Sequence, residues 1–234
     1  STIFDGSGDN LLVPSSGSTS TDLVIGTNDF TLEFWVNADA FTNGGVIYDT
    51  RENDAAGLMV NFNTSGNLRL YANSGYRITA DGISTGGWHH CAIVRSGGVT
   101  RLFLNGVKDD EVYVDTNNYT GNTAFIGKHN SNTGADFDGY ISNLRLVVGT
   151  AVYTSNFNVT NTPLTAITNT KLLTCQNSSG APTDASSVNH TVDTSGSATG
   201  SSVAPFRDYI TVPTSPLTAI TNTKLLTAQH SNQI

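Results

Sequence analysis

The stretch Phe30-Thr31-Leu32-Glu33-Phe34-Trp35-Val36 alternates along its whole length. Side chains two apart on a strand share a face, so Phe30, Leu32, Phe34 and Val36 form one surface and Thr31, Glu33 and Trp35 the other. Strand signals continue on both sides. Upstream lie Thr2–Phe4, the turn Asp5-Gly6-Ser7-Gly8-Asp9, the strand Asn10–Val13 and a Ser/Gly/Thr loop over Pro14–Thr21. Downstream lie Gly45–Thr50, Gly57–Phe62, Leu68–Tyr71, Arg77–Thr79, Trp88–Val94 and Thr100–Leu104. The pair Asn105-Gly106 then predicts a tight hairpin turn, because both residues tolerate positive φ. Ala124–Ile126, Gly139–Val147, Lys171–Cys175 and His190–Asp193 complete the series. Many short strands at near-regular spacing predict an all-β fold, an antiparallel two-sheet jelly-roll β-sandwich with almost no helix.

Composition agrees. Only 13% of the 234 residues are charged, and Gly, Ser, Thr and Asn fill the gap. Those residues suit strands joined by turns. Glutamate occurs only as Glu33, Glu52 and Glu111, and good helix formers are scarce generally. The net charge is −8, with eleven basic residues scattered rather than clustered. That pattern argues against nucleic acid and anionic membranes and suits carbohydrate, calcium or protein partners. No apolar run approaches the roughly 20 residues of a membrane helix. The chain begins at Ser1, as a mature fragment or a piece of something longer would.

Pro163–Gln176 reads PLTAITNTKLLTCQ and Pro216–Gln229 reads PLTAITNTKLLTAQ. The copies differ only where Cys175 becomes Ala228, so a small apolar side chain suffices there. Identity this high marks a recent duplication of a closing segment rather than a solenoid repeat. Cys91 and Cys175 both sit in apolar strand patterns. Two buried free thiols are favoured over a disulfide.

Several motifs together resemble the laminin-G-like branch of the concanavalin A-like lectin/glucanase superfamily. They are Phe4–Leu11, Asp29–Val36, the hairpin Trp88–Arg95 with Arg101–Val107, and Phe137–Arg145. The segment Gly149–Phe157, with Leu172–Gln176 and Val203–Phe206, is similar to the region C-terminal to this fold in tailed-phage tail-fibre and virion structural proteins. On this reading residues 1–160 form the jelly roll, 161–206 a strap completing the sandwich, and 207–234 a partial duplicate available as an edge strand or a subunit contact.

The resemblance implies a recognition module rather than an enzyme. Glycoside hydrolases of the superfamily carry Glu-x-Asp-x-Glu on one strand, which places acid and nucleophile about 5 Å apart. No such run occurs here, and Asp109-Asp110-Glu111 reads as a solvated hairpin end. His89 and His90 are adjacent on a strand and point to opposite faces, so they do not ligate one metal. Trp35 and Trp88 read as sandwich packing. The resemblance also implies a structural calcium ion between the first and closing strands, with Asp5, Asp9, Asp136 and Asp138 as candidate ligands; ordinary turn-forming aspartates are the alternative. Candidate ligand-binding residues are Arg51, Asn53, Asp54, Tyr71, Tyr76, Tyr119, His129 and Asn130. Planar groups beside Asn and Asp suit sugars, which need stacking and directional hydrogen bonds.

The expected function is a non-catalytic module binding carbohydrate or a host cell surface, extracellular and on a virion. The expected partners are a glycan and other virion or fibre subunits, in a homo-oligomer, without nucleic acid or membrane insertion. The alternatives are an architectural virion or fibre subunit that contacts only proteins, and a degenerate glycan-active enzyme.

Overall fold

The computed structural model describes residues 1–41, 44–51, 57–130 and 134–206. Asn53, Asp54 and the duplicated segment within 207–234 lie outside the described residues. The first eight strands are β1 (Thr2–Asp5), β2 (Asn10–Val13), β3 (Phe30–Ala40), β4 (Val46–Asp49), β5 (Leu58–Phe62), β6 (Asn67–Ala72), β7 (Gly75–Gly82) and β8 (His89–Ser96). The remaining seven are β9 (Val99–Leu104), β10 (Val107–Val114), β11 (Ala124–Ile126), β12 (Asp138–Val148), β13 (Thr170–Thr174), β14 (Asp193–Ser195) and β15 (Thr199–Gly200). Among the described residues the only helical element is a 3₁₀ turn, Thr21–Leu23.

These strands form two antiparallel sheets. One runs β10-β9-β8-β3-β12-β1-β15, with β13 also paired to β12. The other runs β14-β2-β11-β4-β5-β6-β7. The expected alternation of β3 is realised: Phe30, Leu32, Phe34 and Val36 are all fully buried between the sheets. Facing them are Leu11, Val13, Leu58, Val60, Phe62, Leu68 and Leu70 of the second sheet. Removing each such side chain from water is worth about 1.5–3 kcal/mol, so this layer dominates stability.

Three local features depart from the expected strands. β10 is a full strand, although its acidic run reads as a turn end. It is an edge strand pairing only with β9, and a bulge between Lys108 and Val112 leaves Asp110 and Glu111 in solvent. Charge on an edge strand guards against wrong pairing rather than preventing the strand. The last predicted strand, His190–Asp193, is shifted to Asp193–Ser195, where it pairs with β2. Within β12 the register slips between Ser142 and Arg145, and Asn143 takes φ +53°. This slip turns both Ile141 and Leu144 into the core. It also frees the Asn143 carboxamide, whose Oδ1 accepts from Leu164 N (2.9 Å) and Gln176 Nε2 (2.6 Å). The closing segment Pro163–Gln176 is thereby pinned to the sandwich at both ends.

Residues 149–165 cross the outer face of the first sheet. Thr31 Oγ1 donates to Thr150 O (3.0 Å) and accepts from Val152 N (2.8 Å). Tyr153 and Phe157 stack at 3.6 Å between ring centres, over Ala92, Val94 and Phe103. Phe157 N donates to Gly106 O at 2.9 Å. Gly106 has φ +80°, and a Cβ there would lie 2.1 Å from the carbonyl oxygen of Phe157. Gly106 is therefore needed twice, for the hairpin and for the close passage of the crossing segment. Gly106→Ala is expected to lower stability by more than the roughly 1–2 kcal/mol of left-handed strain alone. Urea unfolding followed by Trp fluorescence checks this.

Candidate functional site

Side chains on the outer face of the second sheet form a cross-strand row. Leu12, Phe125, Asp49, Met59, Tyr71 and Tyr76 stand opposite one another on β2, β11, β4, β5, β6 and β7. A second row sets Asn61, Arg69 and Thr79 side by side. Period-2 alternation dictates this, because Val60, Leu70 and Ile78 point into the core.

Five of the expected ligand-binding residues come together here: Arg51, Tyr71, Tyr76, His129 and Asn130. They do not play equal parts. Arg51, expected as a surface group, is only 5% exposed. Its Nε and Nη2 donate to the two oxygens of Asp49, each at 2.9 Å, and Asp49 is 0% exposed. Nη2 also donates to His129 Nε2 at 2.6 Å. A guanidinium cannot accept, so the Nε2 of His129 is the acceptor. The guanidinium carbon lies 4.7 Å from the Tyr71 ring centre. Asn130 N donates to Asp49 Oδ2 at 3.1 Å, and the Asn130 carboxamide donates to the Arg51 carbonyl. Asp49, which the sequence does not single out, is thus the hub: it binds the 49–51 turn and the 128–130 turn to one another. Its signal was only its place at the end of β4, beside Arg51.

Tyr71 and Tyr76 meet edge to face at 5.2 Å. Tyr76 is 47% exposed, and the Arg69 guanidinium lies 3.9 Å from its ring centre. The arrangement is a half-open aromatic pair flanked by guanidinium, imidazole and carboxamide groups. Such a surface can stack on the apolar face of a ring and hydrogen-bond its edges.

Tyr119 does not join it. It is 1% exposed, donates to Asp115 Oδ2 at 2.9 Å and packs edge-on against Phe30. Its expected role as an exposed stacking group is corrected to a core role, and burial pushes its hydroxyl pKa up. Trp35 and Trp88 are corrected in the other direction. Both are half-buried on the outer side of the first sheet rather than in the core: Trp35 lies against His90 and Phe206, and Trp88 against Tyr140.

That first sheet carries a second polar cluster, closed rather than open. Glu33 Oε1 accepts from Arg145 Nη2 (2.5 Å) and Nε (2.9 Å). Its Oε2 accepts from Tyr153 OH (2.8 Å) and pairs with His90 Nε2 (3.2 Å). Burial pushes the Glu33 carboxyl up, but the His90 hydrogen bond and the Arg145 and His90 charges together hold it below its ordinary value. Arg145 Nη1 donates onward to Thr165 O at 2.7 Å, under the crossing segment.

The aspartates expected to hold calcium gather where β1 meets β12, with Asp5 directly opposite Asp138. Asp9 is engaged by Asp5 N (3.0 Å) and Ser197 N (2.5 Å), and Asp136 Oδ2 by Gly8 N (2.9 Å). Burial, then the charges of Asp39 and Asp5, raise the Asp138 pKa. Among the described residues, however, no three carboxylate, imidazole or thiol groups converge as a metal site. Asp5, Asp9 and Asp136 each accept from backbone N–H groups of nearby turns. Cys91 and Cys175 are both free and buried, and burial pushes the Cys175 thiol up to about 11.

A two-sheet antiparallel sandwich with this strand order defines the class of fold to which the chain belongs. Residues 5–152 match the laminin G family model of the concanavalin A-like lectin/glucanases superfamily, and the chain belongs to that family. Among solved structures it is similar to a Bacteroides ovatus protein described as carbohydrate binding. That match has 18% identity, a TM-score of 0.58, and covers 88% of this chain and 62% of that one. It is also similar to a heptameric SAP-like pentraxin from Limulus polyphemus. Here identity is 19%, the TM-score 0.50, and coverage 65% of this chain and 76% of that one. Likeness at these identities extends to the fold alone. No curated protein sequence matches the chain.

Proposed function

We propose that this protein is a non-catalytic carbohydrate-binding module whose site is the outer face of the second sheet around Tyr71 and Tyr76. The observation that carries the reading is the convergence of Arg51, Tyr71, Tyr76, His129 and Asn130 on one face, held by the buried Asp49. Arg51 and Asp49 form the rigid floor, and Tyr76 with the edge of Tyr71 supplies the stacking surface. The Bacteroides ovatus likeness supports the fold of such a module. Absence of catalysis is supported by Glu33: this strand-borne carboxylate is buried and fully paired, and it has no free oxygen for a glycosidic bond.

Tyr76→Ala tests the reading. The side chain is half-exposed and touches only Tyr71 and Arg69 among aromatic and cationic groups, so stability should fall by only about 1 kcal/mol. Loss of the stack should weaken glycan binding about tenfold, the scale of an aromatic contact. Titration calorimetry with a hit from a glycan array reads both wild type and variant. Equal affinities would remove the site from this face.

A second reading, an architectural virion or fibre subunit, is favoured by one observation: the near-identical second copy of the closing segment at 216–229. Stable oligomers with a blank glycan array would favour it.

A further inference from the structure

Resting on the carbohydrate reading, the geometry points to an acidic saccharide as the ligand class, and we infer that Arg69 receives its carboxylate or sulfate group. The chain carries a net charge of −8, so a cation left uncompensated on its surface stands out. The cations near carboxylates are Arg51 with Asp49, Arg95 with Asp115, Arg145 with Glu33 and Lys171 with Asp22. Arg69, Lys108 and Lys128 have no such partner among the described residues, and of these three only Arg69 stands in the cross-strand rows beside Tyr71 and Tyr76. Arg77 and Arg101 donate to carbonyls of their own neighbourhood: Arg77 to Ala72 and Asn73, and Arg101 to Val99. Arg69 makes no hydrogen bond among the described residues, and its Nε is buried without a partner.

Its position makes this unusual. Arg69 stands in the middle of β6, directly across from Asn61 and Thr79 and two residues from Tyr71. Its guanidinium is held against the Tyr76 ring, at 3.9 Å from the centre. The head group is therefore placed by stacking while its two Nη groups stay without partners. Their N–H groups, set in a fixed plane, match a carboxylate or sulfate two at a time. Beside it, Asn61 is 4% exposed, and its Oδ1 is likewise buried without a partner, while its Nδ2 donates to Gly44 O and Phe62 O at 3.3 Å each. Asn61 and Arg69 face one another across β5 and β6, and each keeps a polar atom without a partner. An acidic group on the Nη donors of Arg69, with the sugar ring against Tyr76, uses the donors this part of the face leaves unpaired.

The test is a glycan array holding matched acidic and neutral members: uronate chains with their methyl esters, and sulfated chains with their desulfated forms. It is read with wild type, Arg69→Gln, Arg69→Lys and Tyr76→Ala. Wild type is expected to bind the acidic member of a pair at least tenfold more tightly, less so in added salt. Arg69→Gln should erase the difference, Arg69→Lys should keep part of it, and Tyr76→Ala should weaken both members. Two results overturn the inference and leave the carbohydrate reading intact: neutral members bound as well as acidic ones, or acidic binding unchanged by Arg69→Gln. An array blank for every member overturns the carbohydrate reading and this inference together.

Discussion

Glu33→Ala is expected to lower stability by about 3–5 kcal/mol, the cost of leaving a buried charge without its partner. For a chain of this size that corresponds to a fall in Tm of roughly 6–20 °C. The magnitude reflects the groups left behind. Arg145 loses the acceptor for its Nε and Nη2, and Tyr153 and His90 lose theirs. His90 and Arg145 are buried under the crossing segment, to which Tyr153 itself belongs, and water does not replace the carboxylate there. The same pair carries an acid dependence. Because the Glu33 pKa is depressed in the folded protein, its contribution is present above the ordinary carboxylate value of about 4.3 and is lost as pH falls through the folded value. Wild type should therefore lose more stability than Glu33→Gln between neutral pH and pH of about 3. Urea midpoints for both proteins across that range decide it. A parallel decline would show that the carboxylate contributes nothing through its ionisation.

Arg51→Ala is expected to be nearly as costly, about 3–5 kcal/mol, for the mirror-image reason. It strands Asp49, a carboxylate with no solvent exposure, and removes the guanidinium that joins Asp49, His129 and Tyr71. Glycan binding should fall with it, because the 128–130 turn is held to this face through Asp49 and Arg51. Arg51→Ala with Asp49→Asn should recover about half of the lost stability, since the neutral carboxamide is cheaper to leave buried. Thermal unfolding of the single and double variants reads this directly. A single variant as stable as wild type would mean that the Asp49 charge is solvated. The contrast with Tyr76→Ala separates the floor of the site from its stacking surface: the first variant loses much stability along with binding, the second chiefly binding.

Much of the architecture was legible in the residues. Alternation in Phe30–Val36 placed the β3 core face correctly, and Asn105-Gly106 marked the β9–β10 hairpin, because side-chain period and positive-φ turns are local properties. β2 and β11 coincide with the expected stretches Asn10–Val13 and Ala124–Ile126. β10 was hidden because an edge strand needs no apolar period to pair, and its acidic run looks like a loop. The duplication at 163–176 and 216–229 shows that Ala is tolerated in place of Cys175 in that segment, and both thiols proved free.

The sites were legible as residue types but not as partners. Arg51, Tyr71, Tyr76, His129 and Asn130 were marked by type, and the fold brings these five together. Tyr119 was marked on the same grounds and is core. Nothing local distinguishes a tyrosine that faces water from one that caps an aspartate, since Asp115 reaches Tyr119 only once the 115–119 turn closes over Phe30. The sequence by itself determined which side chains alternate, where turns can bend, and that no carboxylate run for glycoside hydrolysis exists. Tertiary structure alone decided which distant charges are matched: Glu33 finds Arg145 over a separation of 112 residues, Arg95 finds Asp115 across neighbouring elements, and Arg69 finds none among the described residues. Charge pairing depends on distances of a few ångströms between strands far apart in the chain, and only the register of the two sheets fixes those distances.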